Sequence, residues 1–278
     1  MRTFIILCTF CFSLQAQQHT SAHELARHER AFAAAADSAG IRSSFLAFLD
    51  EHCIMFNPHP LNGMELYRNR PESKAHLSWY PAFVEVASSG EMGLSTGPWQ
   101  YRAAKGDTPA AYGYYISVWK RRQDGVWKVV FDNGIGYPKN VHRQEPETFR
   151  MITQQSPSAG PLQTSHGMMD AERAFRKEWS KNGAAAAVER FGDSDVRVYR
   201  NDAFPAVERK NAAALVRQKE SGMTFTASDS VIAASGDLGY VYGIAVSPVK
   251  DSASYVRVWR YRSGWKLAAD VLDPFRKQ

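Results

Sequence analysis

The same series of short motifs runs through this chain twice, and that repetition constrains its fold more than any other feature. Glu29-Arg30-Ala31-Phe32 recurs as Glu172-Arg173-Ala174-Phe175. Ser89-Gly90-Glu91-Met92-Gly93, followed by Gly97, recurs as Ser235-Gly236-Asp237-Leu238-Gly239, followed by Gly243. Val118-Trp119-Lys120 and Trp127-Lys128 recur as Val258-Trp259-Arg260 and Trp265-Lys266, and Asp132 falls on Asp270. Order is kept and the separation barely changes, so loops have varied in length around one repeated unit. Two copies are too few for a solenoid, whose stacked units bury their cores only against several neighbours. Two complete domains follow, over 17–137 and 165–278. The polar stretch between them, 138–164, carries Pro138, Pro146, Pro157 and Pro161 and has the composition of a linker.

The N-terminus reads Arg2, an uncharged run from Thr3 to Leu14, then Gln15-Ala16-Gln17. Charge, apolar core and small residue in that order form a secretory signal over 1–16, with cleavage expected after Ala16 and a secreted or periplasmic location. The apolar run would rise only about 18 Å as a helix against a hydrocarbon core of about 30 Å, so no membrane span is expected. Leu7 and Phe10 precede Cys8 and Cys11 where a lipid anchor needs a small residue. Cleavage would leave Cys53 as the single cysteine, in the apolar run Cys53-Ile54-Met55-Phe56, where a buried inert thiol is expected.

Each copy begins with helical periodicity. Ser21 and Glu24 form a capping-box pattern ahead of Leu25, Phe32 and Ala36 on one face, and Gly40 ends that helix. Ile41, Phe45, Phe48 and Leu49 suggest a second helix, and Pro71 starts a third running towards Trp79. In the second copy Phe175 and Trp179 precede Gly183, and Asn211 is placed to cap a helix over 212–218. Alternating strands follow in both. The fold class is α+β: two tandem units, each an antiparallel sheet packed against N-terminal helices.

This element order, the Gly-[Asp/Glu]-x-Gly-x-x-x-Gly segment and the closing Val-Trp hairpin resemble the nuclear transport factor 2-like superfamily, which includes ketosteroid isomerase and the SnoaL-like cyclases. The nearest likeness is to its secreted bacterial branch of unassigned function. The resemblance implies two cone-shaped domains, each with a curved sheet wrapped around helices and a cavity between them. It does not choose between a binder and an isomerase, dehydratase or cyclase.

The closing hairpins locate candidate sites. Asp124-Gly125, taken as a two-residue turn, sets Ser117 opposite Asp132 and Trp119 opposite Val130. Alternation then gathers Tyr115, Ser117, Trp119, Lys128, Val130 and Asp132 on one face, against Ile116, Val118, Trp127, Val129 and Phe131. The second copy gives Tyr255, Arg257, Trp259, Lys266, Ala268 and Asp270 against Val256, Val258, Trp265, Leu267 and Ala269. The aliphatic face is the core candidate; the mixed face is a pocket wall, a contact between domains or wet exterior. As a pocket wall it presents Tyr115, Ser117 and Trp119, or Tyr255, Arg257 and Trp259, to a small apolar or amphipathic ligand.

Asp132 or Asp270 could serve there as a general base with a tyrosine hydroxyl as donor, an isomerase or cyclase arrangement. Alternatively each Asp is a structural carboxylate paired with a cation, and Arg257 could keep Asp270 ionised. The longer segment from Gly97 to Tyr115 brings Trp99, Tyr101 and Tyr112, which could cover the mouth of the first cavity.

Other chemistries find little support. The second copy, from Met168 onward, has no histidine, and no HExxH, phosphate loop or nucleophile elbow occurs, so no metal or cofactor is expected. A net charge of +6 is modest for 278 residues, and the Lys120-Arg121-Arg122 cluster lies beside a turn, so nucleic acid is not an expected partner. The expected partner of each domain is the other, as an intramolecular pseudo-dimer.

Overall fold

The computed structural model describes residues 5–143, 150–153, 164–216 and 222–275, with side chains from Ser21 onward except at 150–153. The first unit runs α1 (Ile5–Ala39), α2 (Ile41–Phe48), β1 (Leu49–Phe56), β2 (Pro60–Asn62), α3 (Gly63–Asn69), β3 (His76–Trp79), β4 (Phe83–Val86), β5 (Met92–Arg102), β6 (Ala111–Arg121), β7 (Trp127–Tyr137) and β8 (Arg150–Thr153). The second runs α4 (Ser165–Asn182), α5 (Ala184–Phe191), β9 (Gly192–Arg200), β10 (Ala206–Val207), α6 (Arg209–Val216), β11 (Thr224–Ile232), β12 (Leu238–Val246), β13 (Ser252–Tyr261) and β14 (Trp265–Pro274). The fold is α+β, with one sheet and one helix layer in each unit.

Several elements depart from the sequence reading. The capping-box pattern at Ser21 does not start a helix, because α1 already runs from Ile5. The third helix precedes Pro71 instead of following it: Asn62 caps it by accepting from the Glu65 amide at 3.0 Å, and 76–79 is strand β3 on β5. Pro71 disfavours helical backbone at Arg70, which is extended. Asn211 lies inside α6, where its side chain donates to the Val207 carbonyl. The segment 138–164 contains β8, which pairs in parallel with β4.

Gly40 and Gly183 occupy the same junction between the first two helices of each unit, at φ +86° and +89°, where a side chain would be strained.

The strand orders are β2-β1-β7-β6-β5-β4-β8, with β3 also on β5, and β10-β9-β14-β13-β12-β11. Both sheets are mixed, not wholly antiparallel. β1 runs parallel to β7, and β9 to β14. A parallel pair needs a long crossover, and nearly the whole unit intervenes between these strands. Gly97 and Gly243 answer a close approach in each sheet: a Cβ there would lie 1.9 Å from the Tyr80 carbonyl oxygen and 2.0 Å from that of Thr226.

The closing hairpins hold a second correction. Gly125, at φ +84°, ends a three-residue loop closed by the Arg122 amide on the Val126 carbonyl, not a two-residue turn. Ser117 opposes Asp132 as expected, but a bulge after Val118 sets Trp119 against Val129, leaving Val130 as the extra residue. Trp127 and Val129 therefore join Trp119 in the helix-facing cluster, while Val130 packs against the opposite one. The second unit repeats the bulge: Arg257 opposes Asp270, Trp259 opposes Leu267, and Ala268 is extra. Leu267 lies with Trp259 among the helices, and Ala268 on the other side.

The opposite faces form one apolar cluster shared by the units. Ile116, Val118 and Phe131 of the first meet Tyr240, Val256, Val258 and Val271 of the second. Phe131 lies 5.4 Å from Tyr240 and 5.3 Å from Tyr242 between ring centroids. Polar contacts across it are reciprocal between repeat partners. The Ser88 amide donates to Asp237 at 3.0 Å, the Ala234 amide donates to Glu91 at 2.7 Å, and Ser89 meets its own counterpart Ser235 at 2.9 Å. Arg260 crosses to Glu85 at 2.6 Å while holding Asp193 and Asp195 at 3.1 and 2.5 Å, all four residues buried.

Candidate site in the first unit

In the first unit the helix-facing side of β5, β6 and β7 collects polar groups in a row. Ser95, Ser117 and Asp132 are register partners across the three strands. Ser117 Oγ donates to Asp132 Oδ1 at 2.6 Å, and two residues along β6 the Tyr115 hydroxyl lies 3.0 Å from Ser95 Oγ. Glu29 of α1 faces this row. Its two oxygens accept from Trp79 Nε1 at 2.7 Å and Trp119 Nε1 at 2.8 Å.

Glu29, Tyr115, Ser117 and Asp132 line an open cavity of about 1010 Å³. Phe32, Phe45, Tyr67 and Trp79 supply much of its apolar wall, and Trp99, Tyr101 and Tyr112 also line it. Asn201, Asp202, Ser254 and Asp273 reach in from the second unit.

Burial pushes the Asp132 carboxyl up to about 7, with the Glu29 charge adding to the rise and the Ser117 hydrogen bond opposing it. Glu29 is raised by burial against the three hydrogen bonds from Trp79, Trp119 and Ser95. Burial and the nearby Glu29 hold the Tyr115 phenol well above its ordinary range, so it keeps its proton. Asp132 forms no ion pair among the described residues, and its second oxygen takes no hydrogen bond among them. A carboxyl raised towards neutral pH, a protonated phenol and the Ser117 hydroxyl on one aromatic-lined wall can bind a polar group or move a proton.

The second unit closes the corresponding space. Asp270 is fully buried between Arg200 and Arg257, with Arg257 Nε at 2.8 Å. Burial would raise its pKa, but the two guanidiniums outweigh that and hold it below the usual range. Arg257 also donates to Glu172 at 2.7 Å, and Trp259 Nε1 donates to the other Glu172 oxygen at 3.1 Å. The Arg257 guanidinium is packed against Phe225, Phe175, Tyr255 and Trp179, at 4.1, 4.6, 4.8 and 5.3 Å from the ring centroids. Tyr255, Arg257, Trp259 and Asp270 are thus interior structure, and the neutralising role of Arg257 weighed at Asp270 is the arrangement observed.

Trp119, fully buried, holds Glu29 from behind the cavity and does not line it. Glu29, Ser95 and Trp79 were not singled out from the sequence. Glu29 was visible: four residues after Leu25 and three before Phe32, it sits on the apolar stripe of α1, and Glu172 recurs in the same place beside Phe175. Cys53 is buried and its thiol is raised by that burial, which fits an inert packing role.

No family profile matches the chain, and no curated protein matches it. Solved structures do. A protein of unknown function with a cystatin-like fold from Nostoc punctiforme is 14% identical, over 41% of this chain and 96% of its own, at a TM-score of 0.34. An NTF2-like protein from Cytophaga hutchinsonii is 17% identical, over 39% of this chain and 95% of its own, at 0.32. A ketosteroid isomerase-like protein from Erwinia carotovora atroseptica is 13% identical, over 40% and 96%, at 0.34. Each covers about two fifths of this chain.

Proposed function

We propose that this is an exported tandem-domain protein whose first unit binds a small molecule in the cavity against Asp132, while the second unit is its closed structural partner. The observation that carries this reading is the contrast between two equivalent carboxylates. Asp132 lines an open cavity with Ser117 as its one hydrogen-bond partner among the described residues, whereas Asp270 is sealed between two arginines. The cavity has the volume of a ligand site and combines an aromatic wall with a set of polar and charged groups.

In this reading 17–137 and 165–278 are the domains, joined through 138–164, and pack as a pseudo-dimer. The reciprocal contacts between Ser89 and Ser235, and between Glu91, Asp237 and the opposing amides, have the form of a two-fold interface. Export rests on the N-terminal signal pattern. Cleavage after Ala16 would shorten α1 but keep Leu25, Glu29 and Phe32, which build the site. Native mass spectrometry of the purified protein checks the binding reading. A co-purified small molecule retained by the wild type and lost in Ser117→Trp, which fills the cavity, is the expected result.

One arrangement favours a catalytic use of the same wall: Asp132, its carboxyl pushed up to about 7 by burial, lines the cavity together with the Tyr115 phenol, which burial keeps protonated. A proton acceptor and a hydrogen-bond donor so tuned suit an isomerase or cyclase, where a positioned base contributes about 10²- to 10⁴-fold. Exchange of ligand C–H for deuterium, abolished by Asp132→Asn, would establish that use.

A further inference from the structure

The second unit shows what the first unit's wall accommodates. Repeat order and strand register equate Glu172 with Glu29, Asp270 with Asp132, Phe175 with Phe32 and Tyr255 with Tyr115. They also equate Phe225, which opposes Ala245, with Trp79, which opposes Trp99. In the second unit these five groups surround one guanidinium. Arg257 is gripped by both carboxylates, at 2.7 and 2.8 Å, and packed on the three rings.

The first unit keeps both carboxylates and all three rings on its cavity wall but has Ser117 in place of Arg257. Ala36 stands where Trp179 does, which removes a further ring from the space. The carboxylates and rings are present without a tethered cation, and Trp79 Nε1 takes the Glu29 oxygen that answers to the one Arg257 holds on Glu172.

We propose that the first cavity binds a cationic ligand, a guanidinium or ammonium group carried on an apolar or aromatic body, with the charged head between Asp132 and the rings of Phe32, Trp79 and Tyr115. This rests on the binding reading above and names the class of ligand. Among the described residues the charged groups lining the cavity are Glu29, Asp132, Asp202 and Asp273 against Arg70, an acidic lining in a chain of net charge +6. Arg70 is exposed and lies over the Tyr67 ring at 5.6 Å, where solvent screens it.

Glu29 already accepts from two indoles, so Asp132, with one oxygen uncommitted among the described residues, is the principal anion for the head group. The rings add cation–π attraction that a neutral head would not receive. The remaining volume takes the body of the ligand.

Isothermal titration calorimetry on the purified full chain tests this with three probes of one shape: phenylguanidinium, neutral phenylurea and anionic phenylacetate. Phenylguanidinium is expected to bind at least tenfold tighter than either of the others. Asp132→Asn should weaken it at least tenfold, with near-ultraviolet circular dichroism confirming the fold. Ser117→Arg, which supplies the tethered cation as the second unit does, should abolish binding without lowering the melting temperature. Equal binding of phenylurea, or preference for phenylacetate, overturns the cationic class while leaving a binding cavity. If no probe binds and no small molecule co-purifies, the cationic class and the binding reading both fall.

Discussion

Ser117 and Arg257 occupy one register position in two copies of one hairpin, and that difference, with Ala36 in place of Trp179, separates an open cavity from a filled one. Arg257 is held by charge on both sides with no exposure, so Arg257→Ala would strand Glu172 and Asp270 as buried, less compensated carboxylates. A loss of about 3–5 kcal/mol is expected, read from urea unfolding. Asp132 makes the opposite prediction. Its folded pKa, near 7, lies above the ordinary 3.8, so the folded state binds more protons between those values. Its contribution to stability is full below about pH 4 and is lost as pH rises to about 7. Asp132→Asn should therefore melt higher than wild type at pH 8, by about 1–2 kcal/mol after allowing for solvent at a half-buried group, and show little gain at pH 4. Glu29, raised in the same direction, leaves a residual slope in that variant.

At the level of elements, the bulges at Val130 and Ala268 decide which side chains meet the helices. Were Val130 paired regularly instead of bulged out, side-chain alternation would carry Trp127 and Val129 to the face that meets the other unit. Both are buried in the helix-side cluster beside Trp119. Deleting Val130 should therefore remove the bulge yet leave Trp127 and Val129 facing the helices, costing about 0.5–3 kcal/mol in urea unfolding with the near-ultraviolet spectrum of the tryptophans kept. Gly97 works at the same level: the backbone of Tyr80, in the connection between β3 and β4, passes so close that it leaves no room for a methyl group. Gly97→Ala should lower stability by about 1–3 kcal/mol in a thermal melt.

Across the whole molecule, the two sheets share one apolar cluster and one buried ion network through Arg260 and Glu85. Neither unit finishes its own outer sheet face. The full chain should accordingly unfold in a single calorimetric transition, because losing either unit exposes Val256, Val258 and Val271 or Ile116, Val118 and Phe131 to water. Two separated transitions would show that the units are independent. Arg260→Ala should lower that transition more than a surface Arg→Ala change such as Arg173→Ala, since Glu85, Asp193 and Asp195 would lose their shared cation.

The sequence by itself determined the duplication, the α+β class, the helix breaks at Gly40 and Gly183, the pairing of Ser117 with Asp132, and the shared face of Arg257 and Asp270. These follow from local rules: motif order, positive φ at glycine, and alternation along a strand. It misplaced the third helix and the residues nearest each turn, because a bulge inserts one residue without a mark in the pattern and a proline can follow a helix as well as start one. It took the aliphatic face for a private core, when that face meets its counterpart in the other unit. Only the tertiary structure decided that Glu29 joins the site from α1 and that one carboxylate lines a cavity while its twin is sealed. Those facts depend on which side chains converge from elements far apart in the chain, a distance that no local pattern encodes.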